Sequence, residues 1–276
     1  MKLLKLVEKQ NIHRAAELLL NSKHAIALTG AGISTESGIP DFRGEGGIWE
    51  KYKPEIYGNI QAFIKNPIKF WELAEKVAPN LFKAKPNPGH IALAELEKMD
   101  ILKAIITQNI DELHQKAGSV IVYEIHGNIN RFSCYGCRAS YTKDQVLHKL
   151  KRKKEYPPTC DICAAPLKPS VVLFGESLPT FEIYQSQALS QKSDVMLIAG
   201  SSLSVAPACD LPLYTLREGG KLIIVNDKET HLDEKSEVVI RHKTGIVLPL
   251  IVEEIKKMKE ERVATAAGLP VGELNK

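Results

Sequence analysis

Short apolar runs recur along the chain at His24 to Thr29, Ala104 to Thr107, Val120 to Ile125, Val171 to Phe174, Val195 to Ala199 and Leu222 to Val225. They are continuous rather than alternating, the pattern of strands covered on both faces. The segments between them keep a different rhythm. Residues 3 to 20 set Leu3, Leu4, Leu6, Val7, Ile12, Ala15, Ala16, Leu18 and Leu19 at helical spacing. Gly89 to Met99, after Pro86 and Pro88, are a second helical segment. Strands alternating with helices predict an α/β fold, a Rossmann-like parallel sheet with helices on both faces.

Two stretches break the rhythm. Residues 43–85 carry loop and helix patterns with no strand signal, and residues 129–169 hold four cysteines and a basic run, Lys149 to Lys154. Both read as insertions that build a second, smaller domain from a helical module and a cysteine module. The expected division is a discontinuous main domain (1–42, 86–128 and 170–260), a small domain (43–85 and 129–169) and a flexible tail (261–276). The tail is polar and rich in Ala and Gly. The basic run is expected to be a solvated helix face, as most like-charge runs are.

Composition narrows the class without naming it. The chain has 276 residues, 44% hydrophobic and 25% charged, which suits a globular protein and excludes a disordered or fibrous one. No run reaches the roughly 18 apolar residues of a membrane span. Lys5, Glu8, Lys9, Arg14 and Glu17 interrupt the first apolar segment, so it is not expected to act as an export signal. The expected compartment is the cytoplasm. Net charge, 37 − 33 = +4, is too mild to demand a nucleic-acid partner.

The cysteines carry more information. Cys134 and Cys137 form one Cys-x-x-Cys pair, Cys160 and Cys163 a second, with 22 residues between the pairs. That spacing fits one tetrahedral zinc ion per chain. Four matched thiolates leave no open position, so the zinc is structural rather than catalytic. The fifth, Cys209, reads as a small buried hydrophobe.

Thr29 to Ser34 follow the first strand run as a glycine turn. Gly30 and Gly32 permit a tight bend and close approach of a ligand, and the following helix start would aim N–H groups at a phosphate. The third glycine is Gly38, so this is not the usual dinucleotide spacing. Taken alone, the turn serves either a dinucleotide or only the fold.

The continuation, Gly30 through Pro40 and Asp41-Phe42-Arg43 to Gly44, resembles the sirtuins, the silent-information-regulator family of NAD-dependent protein deacylases, in its bacterial and archaeal form. Further blocks agree: Thr107 to Asp111, His114, Glu124 to Asn128, Phe174-Gly175-Glu176, Gly200 to Val205 and Val225-Asn226. The resemblance runs from about Ala25 to Glu254 and implies NAD as co-substrate. It implies that Gly30, Ala31, Gly32, Ser34 and Glu36 line the NAD loop. Asp41, Phe42 and Arg43 would cover the nicotinamide ribose and phosphates. Gln108, Asn109, Ile110 and Asp111 would hold the nicotinamide and its ribose, with Asn109 and Asp111 acting in catalysis. Gly200, Ser201, Ser202, Asn226, Asp227 and Thr244 would complete the cofactor site. Val171, Val172, Phe174, Gly175 and Glu176, with Leu203 and Val205, would clamp the substrate peptide as an added strand. His126 would be the general base, a role that suits an imidazole titrating near neutral pH.

The resemblance thus implies an acetyl-lysine deacetylase. Its products are free lysine, nicotinamide and O-acetyl-ADP-ribose, and its partners are acetyl-lysine proteins, including chromatin or nucleic-acid-associated ones. No membrane partner is expected. ADP-ribosyl transfer at the same site, and a non-catalytic NAD sensor or chromatin scaffold, are the alternatives. Hydride transfer fits poorly. One sirtuin subgroup removes acidic acyl chains with a Tyr and an Arg on the helix after the first loop. Anchored on Trp71-Glu72, those positions are Ala74 and Val77 here, and neither can bind a carboxylate.

Overall fold

The computed structural model describes residues 6–42, 44, 46–152 and 156–266. Its strands are β1 Ala25–Thr29, β2 Leu102–Thr107, β3 Val122–Glu124, β4 Gly127–Cys134, β5 Ser140–Thr142, β6 Leu167–Val171, β7 Val195–Ala199, β8 Lys221–Val225 and β9 Val238–Ile240. Six of them form a sheet in the order β3-β2-β1-β7-β8-β9. Every pairing in it is parallel.

The continuous apolar runs are explained by what covers this sheet. Ala25 and Ala27 of β1 face one layer, with Leu197, Ala199, Ile223 and Val225, under the helices Leu6–Asn21, Pro88–Lys98 and Thr244–Ala266. Ile26 and Leu28 face the other, with Met196, Ile198, Leu222 and Ile224, under Leu211 and Leu203. Both faces of each central strand are dry, so neither face can be polar.

A second sheet is antiparallel, in the order β5-β4-β6. It shares one core with the helix Pro67–Lys83, in which Phe70 and Trp71 meet Phe132, Leu167 and Val171. Trp71 stacks on Phe132, ring centroids 6.3 Å apart, and its Nε1–H donates to the Leu167 carbonyl at 3.0 Å. Truncating a buried Trp of this kind costs about 3–5 kcal/mol.

Several expectations are corrected here. The run Val171 to Phe174 is not a strand of the parallel sheet. β6 ends at Val171 and belongs to the small sheet, and residues 172–174 continue as a strap between modules. β9, β4 and β5 carried too short or too mixed a pattern to be foreseen. The segment after the glycine turn is a seven-residue 3-10 helix, Ala31–Ser37, rather than an α-helix. The last helix runs to Ala266 with Ala264 buried, so the expected tail from residue 261 is in part helical. Residues 267–276 lie outside the described residues. Lys149 is buried and its ammonium meets Asp161 at 2.6 Å, so the basic run does not begin as a solvated face. Lys153 and Lys154 lie outside the described residues. No helix among the described residues is long and apolar enough to cross a membrane.

The four expected cysteines converge. Their Sγ atoms all lie within 4.8 Å of one another, with Cys134 to Cys163 at 3.4 Å and Cys137 to Cys160 at 3.6 Å. Thiolates 2.3 Å from a shared zinc stand about 3.8 Å apart at tetrahedral angles, whereas a disulfide needs about 2.05 Å. The amides of Cys137 and Ile162 donate to Cys134 Sγ and Cys160 Sγ at 3.4 Å each, and the Tyr141 hydroxyl donates to Cys160 Sγ at 3.2 Å. Donors aimed at sulfur favour thiolates, which is what a metal requires. The donor set fits one structural zinc. Purified protein is expected to carry one zinc per chain, and Cys134→Ala or Cys160→Ala to lose the metal and most of the soluble yield. Metal analysis of soluble, active protein that finds no zinc would contradict this.

Candidate active site

The ends of β1, β2, β3, β7 and β8 open on the same edge of the sheet. Open α/β sheets bind ligands there, at the point where strand order reverses, which in this order is between β1 and β7. The loops after those two strands touch. Gly30 N–H donates to the Ala199 carbonyl at 3.3 Å and Gly32 N–H to the Gly200 carbonyl at 2.8 Å. A Cβ on Gly32 would lie 2.7 Å from the Gly200 oxygen, so only glycine fits.

The turn carries Ser34 into a buried polar cluster. Its hydroxyl donates to Asp111 Oδ2 at 2.7 Å and accepts from Asn109 Nδ2 at 3.1 Å. Asn109 Nδ2 also donates to the Gly30 carbonyl at 3.1 Å. His90 Nδ1 accepts from the Asn87 amide at 3.3 Å, which leaves Nε2–H to face Ser34 Oγ at 3.4 Å. Asp111 Oδ1 accepts from the Leu113 amide at 2.9 Å. Burial pushes the Asp111 carboxyl above the usual range, and the Leu113 and Ser34 donors pull against that shift.

A second chain lies behind it. Thr29 donates to Thr107 Oγ1 at 2.8 Å, so His114 Nε2–H is the donor in its 2.8 Å contact with Thr29 Oγ1. His114 Nδ1 is buried without a hydrogen-bond partner among the described residues. Burial lowers His90 to about 4 and His114 to about 3, so both rings are neutral at physiological pH.

His126 stands at the end of β3, half-buried. Its Nδ1 lies 3.1 Å from the Gln108 carbonyl. A carbonyl only accepts, so Nδ1 carries the proton and Nε2 the lone pair. Gln108 Nε2 donates to Ser201 Oγ at 2.9 Å, which also accepts from the Leu203 amide at 3.3 Å. The Ser201 hydroxyl is thus engaged within the protein, while exposed Ser202 pairs with Ser204 at 2.8 Å. Asn226 directly follows β8, its side-chain amide donating to the Lys228 carbonyl at 2.8 Å, with Asp227 exposed beside it.

Other expected residues divide. Ala31 and Ile110 lie half-buried beside the cluster. Asp41 accepts from the Gly44 amide at 2.6 Å, and Arg43 lies outside the described residues. Glu36 turns away from the turn: its carboxylate accepts from the Gly245 amide at 2.7 Å, at the start of the last helix. Thr244 is buried there, its hydroxyl without a partner among the described residues. Leu203 and Val171 bury their side chains in the two cores, which leaves only their main chains for a peptide. Val172, Phe174, Gly175 and Glu176 form the strap, and Val205 is half-buried. Trp49 was not foreseen. Its ring sits between Phe42 and Phe174, at 5.4 and 6.0 Å. The signal was a lone Trp after Gly46-Gly47. Thr29, Thr107 and His90 were missed as members of the cluster because their partners are distant in sequence.

The Sir2 family model matches residues 30–207. NAD-dependent protein deacylase 2 of Archaeoglobus fulgidus is 46% identical over 255 residues, 92% of this chain and 100% of the relative. An NAD-dependent protein deacetylase of Sulfolobus acidocaldarius is 48% identical over 245 residues, 89% of this chain and 95% of the relative. A solved Sir2 variant holding a deacetylated p53 peptide and 3'-O-acetyl ADP-ribose superposes with a TM-score of 0.81 at 39% identity, covering 94% of this chain and 99% of that one. The chain belongs to the Sir2 family.

The buried histidines set an acid limit. Their folded pKa values are depressed, so below about pH 6.5 the unfolded chain binds protons that the folded chain refuses. Their contribution to stability is complete above that pH and is lost as pH falls toward the folded values of about 4 and about 3. The raised Asp111 acts in the opposite sense. His114→Gln removes one titrating ring, so its melting temperature should fall less steeply than the parent's between about pH 7 and pH 5. Parallel slopes in thermal melts would contradict a neutral, buried His114.

Proposed function

We propose that this chain is an NAD-dependent protein-lysine deacetylase. It transfers the acetyl group from lysine to ADP-ribose and releases nicotinamide and O-acetyl-ADP-ribose. The observation that carries this is His126: a half-buried imidazole whose Nδ1 is held by the Gln108 carbonyl, at the sheet edge of a Sir2-family chain. A non-catalytic NAD sensor or chromatin scaffold has no use for such a base, and nothing in the site favours ADP-ribosyl transfer.

The glycine turn at Gly30, Ala31 and Gly32, with Gly200, Ser202 and Asn226, suits the phosphates and riboses of NAD. Asn109, Ile110 and Asp111 suit the nicotinamide end. NAD supplies the electrophilic ribose carbon that accepts the acyl oxygen. Ser34 and His90 orient Asn109 and Asp111, and Phe42 shields the reacting ribose from water. His126 accepts a proton from a ribose hydroxyl and is oriented by Gln108. Asp227, Thr244 and, outside the described residues, Arg43 belong to the same reading as NAD contacts. Glu36 supports the turn through Gly245. Residues 1–42, 86–128 and 170–260 are the NAD-binding domain, and 43–85 and 129–169 the small one. The unbridged cysteine cluster suits a reducing compartment, which supports the cytoplasm. Acetylated proteins, chromatin-associated ones among them, are the macromolecular substrates.

Two outcomes test this. His126→Ala should retain NAD and peptide binding and lose about 10²–10⁴-fold in deacetylation, the usual worth of a positioned proton acceptor. Unchanged turnover would remove His126 from the role. Acyl choice is the second. Ala74 and Val77 pack half-buried against the small-module core, and Lys76 lies over the Tyr52 ring, 5.2 Å from its centroid. A carboxylate buried there would have no fork-shaped donor. On one peptide, acetyl-lysine should therefore be turned over with higher kcat/KM than succinyl-lysine. A succinyl preference would refute this assignment of the pocket.

A further inference from the structure

Lys168 belongs to β6, yet only 8% of its side chain is exposed. Its ammonium donates to the Val171 carbonyl at 2.6 Å and to Glu176 Oε2 at 2.8 Å. The same carboxylate oxygen accepts from the Leu173 amide at 2.7 Å. One ion pair thus ties down three points of a single strap, residues 171, 173 and 176. A buried ion pair is a poor way to gain stability, since apolar residues of similar volume often do as well or better. What it supplies here is shape.

The strap is where that shape matters. Val172 N–H donates to the carbonyl of His126 at 2.9 Å, and Phe174 N–H to that of Gly58 at 2.8 Å. Ile60 N–H donates to the Phe174 carbonyl at 3.0 Å. Gly175 has φ of +86° and packs close to Ile60. The strap therefore joins the proposed base to the helical module. Its amides at 172, 173, 174 and 176 are all engaged within the chain. The Val171, Leu173 and Phe174 carbonyls already accept from Lys168, Glu176 and Ile60, so pairing with a peptide falls chiefly to the Val172 carbonyl and to Gly175, whose direction depends on how the strap is held.

We propose that the ion pair between buried Lys168 and half-buried Glu176 positions the acyl-peptide substrate. It holds residues 171–176 in the conformation that presents their main chain to the peptide, and neither side chain touches peptide or NAD. Glu176 is then a positioning residue rather than one that grips the peptide. The proposal rests on the deacetylase reading.

The test is steady-state deacetylation of an acetyl-lysine peptide by the full chain, with zinc content and far-UV circular dichroism as checks on folding. Lys168→Met and Glu176→Gln should raise the KM for peptide about tenfold or more, since each leaves the remaining charge without its counter-charge. The KM for NAD and kcat should stay within about threefold of the parent, the signature of lost substrate binding. Lys168→Arg keeps the charge and reaches the same carboxylate, and should return the peptide KM to within about threefold of the parent. Glu176→Gln, nearly isosteric, decides the matter if Lys168→Met does not fold. The proposal is overturned if folded variants keep the parent's peptide KM. It is overturned equally if the KM values for NAD and peptide rise together, or if Lys168→Arg is as impaired as Lys168→Met. An inactive parent would overturn the deacetylase reading and this proposal with it. An active parent with unmoved variants overturns the proposal alone.

Discussion

The site depends on one main-chain contact, the 2.8 Å hydrogen bond from Gly32 N–H to the Gly200 carbonyl. β1 and β7 are parallel neighbours, so the loops that follow them leave the sheet side by side. Side chains on either loop would force them apart. A Cβ on Gly30 or Gly32 would come within 3 Å of the Gly200 oxygen, and Gly200, at φ +64°, would press one against the Ile33 amide. Three missing side chains let the loops interlock. Ile33 is then buried, and Ser34 is delivered to Asn109 and Asp111 from the next strand. The second loop delivers Ser201 to Gln108, which in turn holds His126. The contacts of Ser34 and Ser201 follow from that approach.

The hydrogen-bond arithmetic of Ser34 shows why the cluster has one arrangement. Its hydroxyl has one proton, and Asp111 takes it. Asn109 and His90 must then both donate to it, which requires a neutral His90 with its proton on Nε2. Burial supplies that neutrality. A protonated His90 would need an acceptor for Nδ1–H, and that nitrogen already faces the Asn87 amide. Buried networks with every donor matched rigidify what they touch. Here they fix the orientation of Asn109 and Asp111 before any substrate arrives.

Much of this was legible in the chain, and the illegible parts share a cause. Central strands announce themselves because both faces are dry, so β1, β7 and β8 need no context. The cysteines announce a metal because their spacing is local. The run Val171 to Phe174 is as apolar as those strands, yet its amides go to His126, Gly58 and the Glu176 carboxylate. Hydrophobicity reports burial and is silent on which backbone supplies the partner. Glu36 reads as a residue of the NAD loop, and it sits there, but its carboxylate accepts from the Gly245 amide, 209 positions later, at the start of the last helix. Lys149 reads as surface charge, yet it is buried against a carboxylate nearby in the fold, as is Lys168. Local patterns give strands, turns and metal knuckles, whereas charge pairing across loops is set by tertiary packing.

The joint between the two modules follows from the same geometry. Phe42 comes from the loop after the glycine turn, Trp49 from the helical insertion and Phe174 from the strap, and their rings form one chain. Gly58 completes it, since a Cβ there would lie 2.7 Å from the Trp49 ring. Phe174 is bonded through its main chain to Gly58 and Ile60, and Val172 to the carbonyl of His126. A shift of the small module relative to the sheet therefore has to move Phe42, Phe174 and the strap together. The loop after the glycine turn, the strap and His126 are linked through three rings and three hydrogen bonds, so the geometry of the proposed site is a property of the interface between the two cores and not of either core alone.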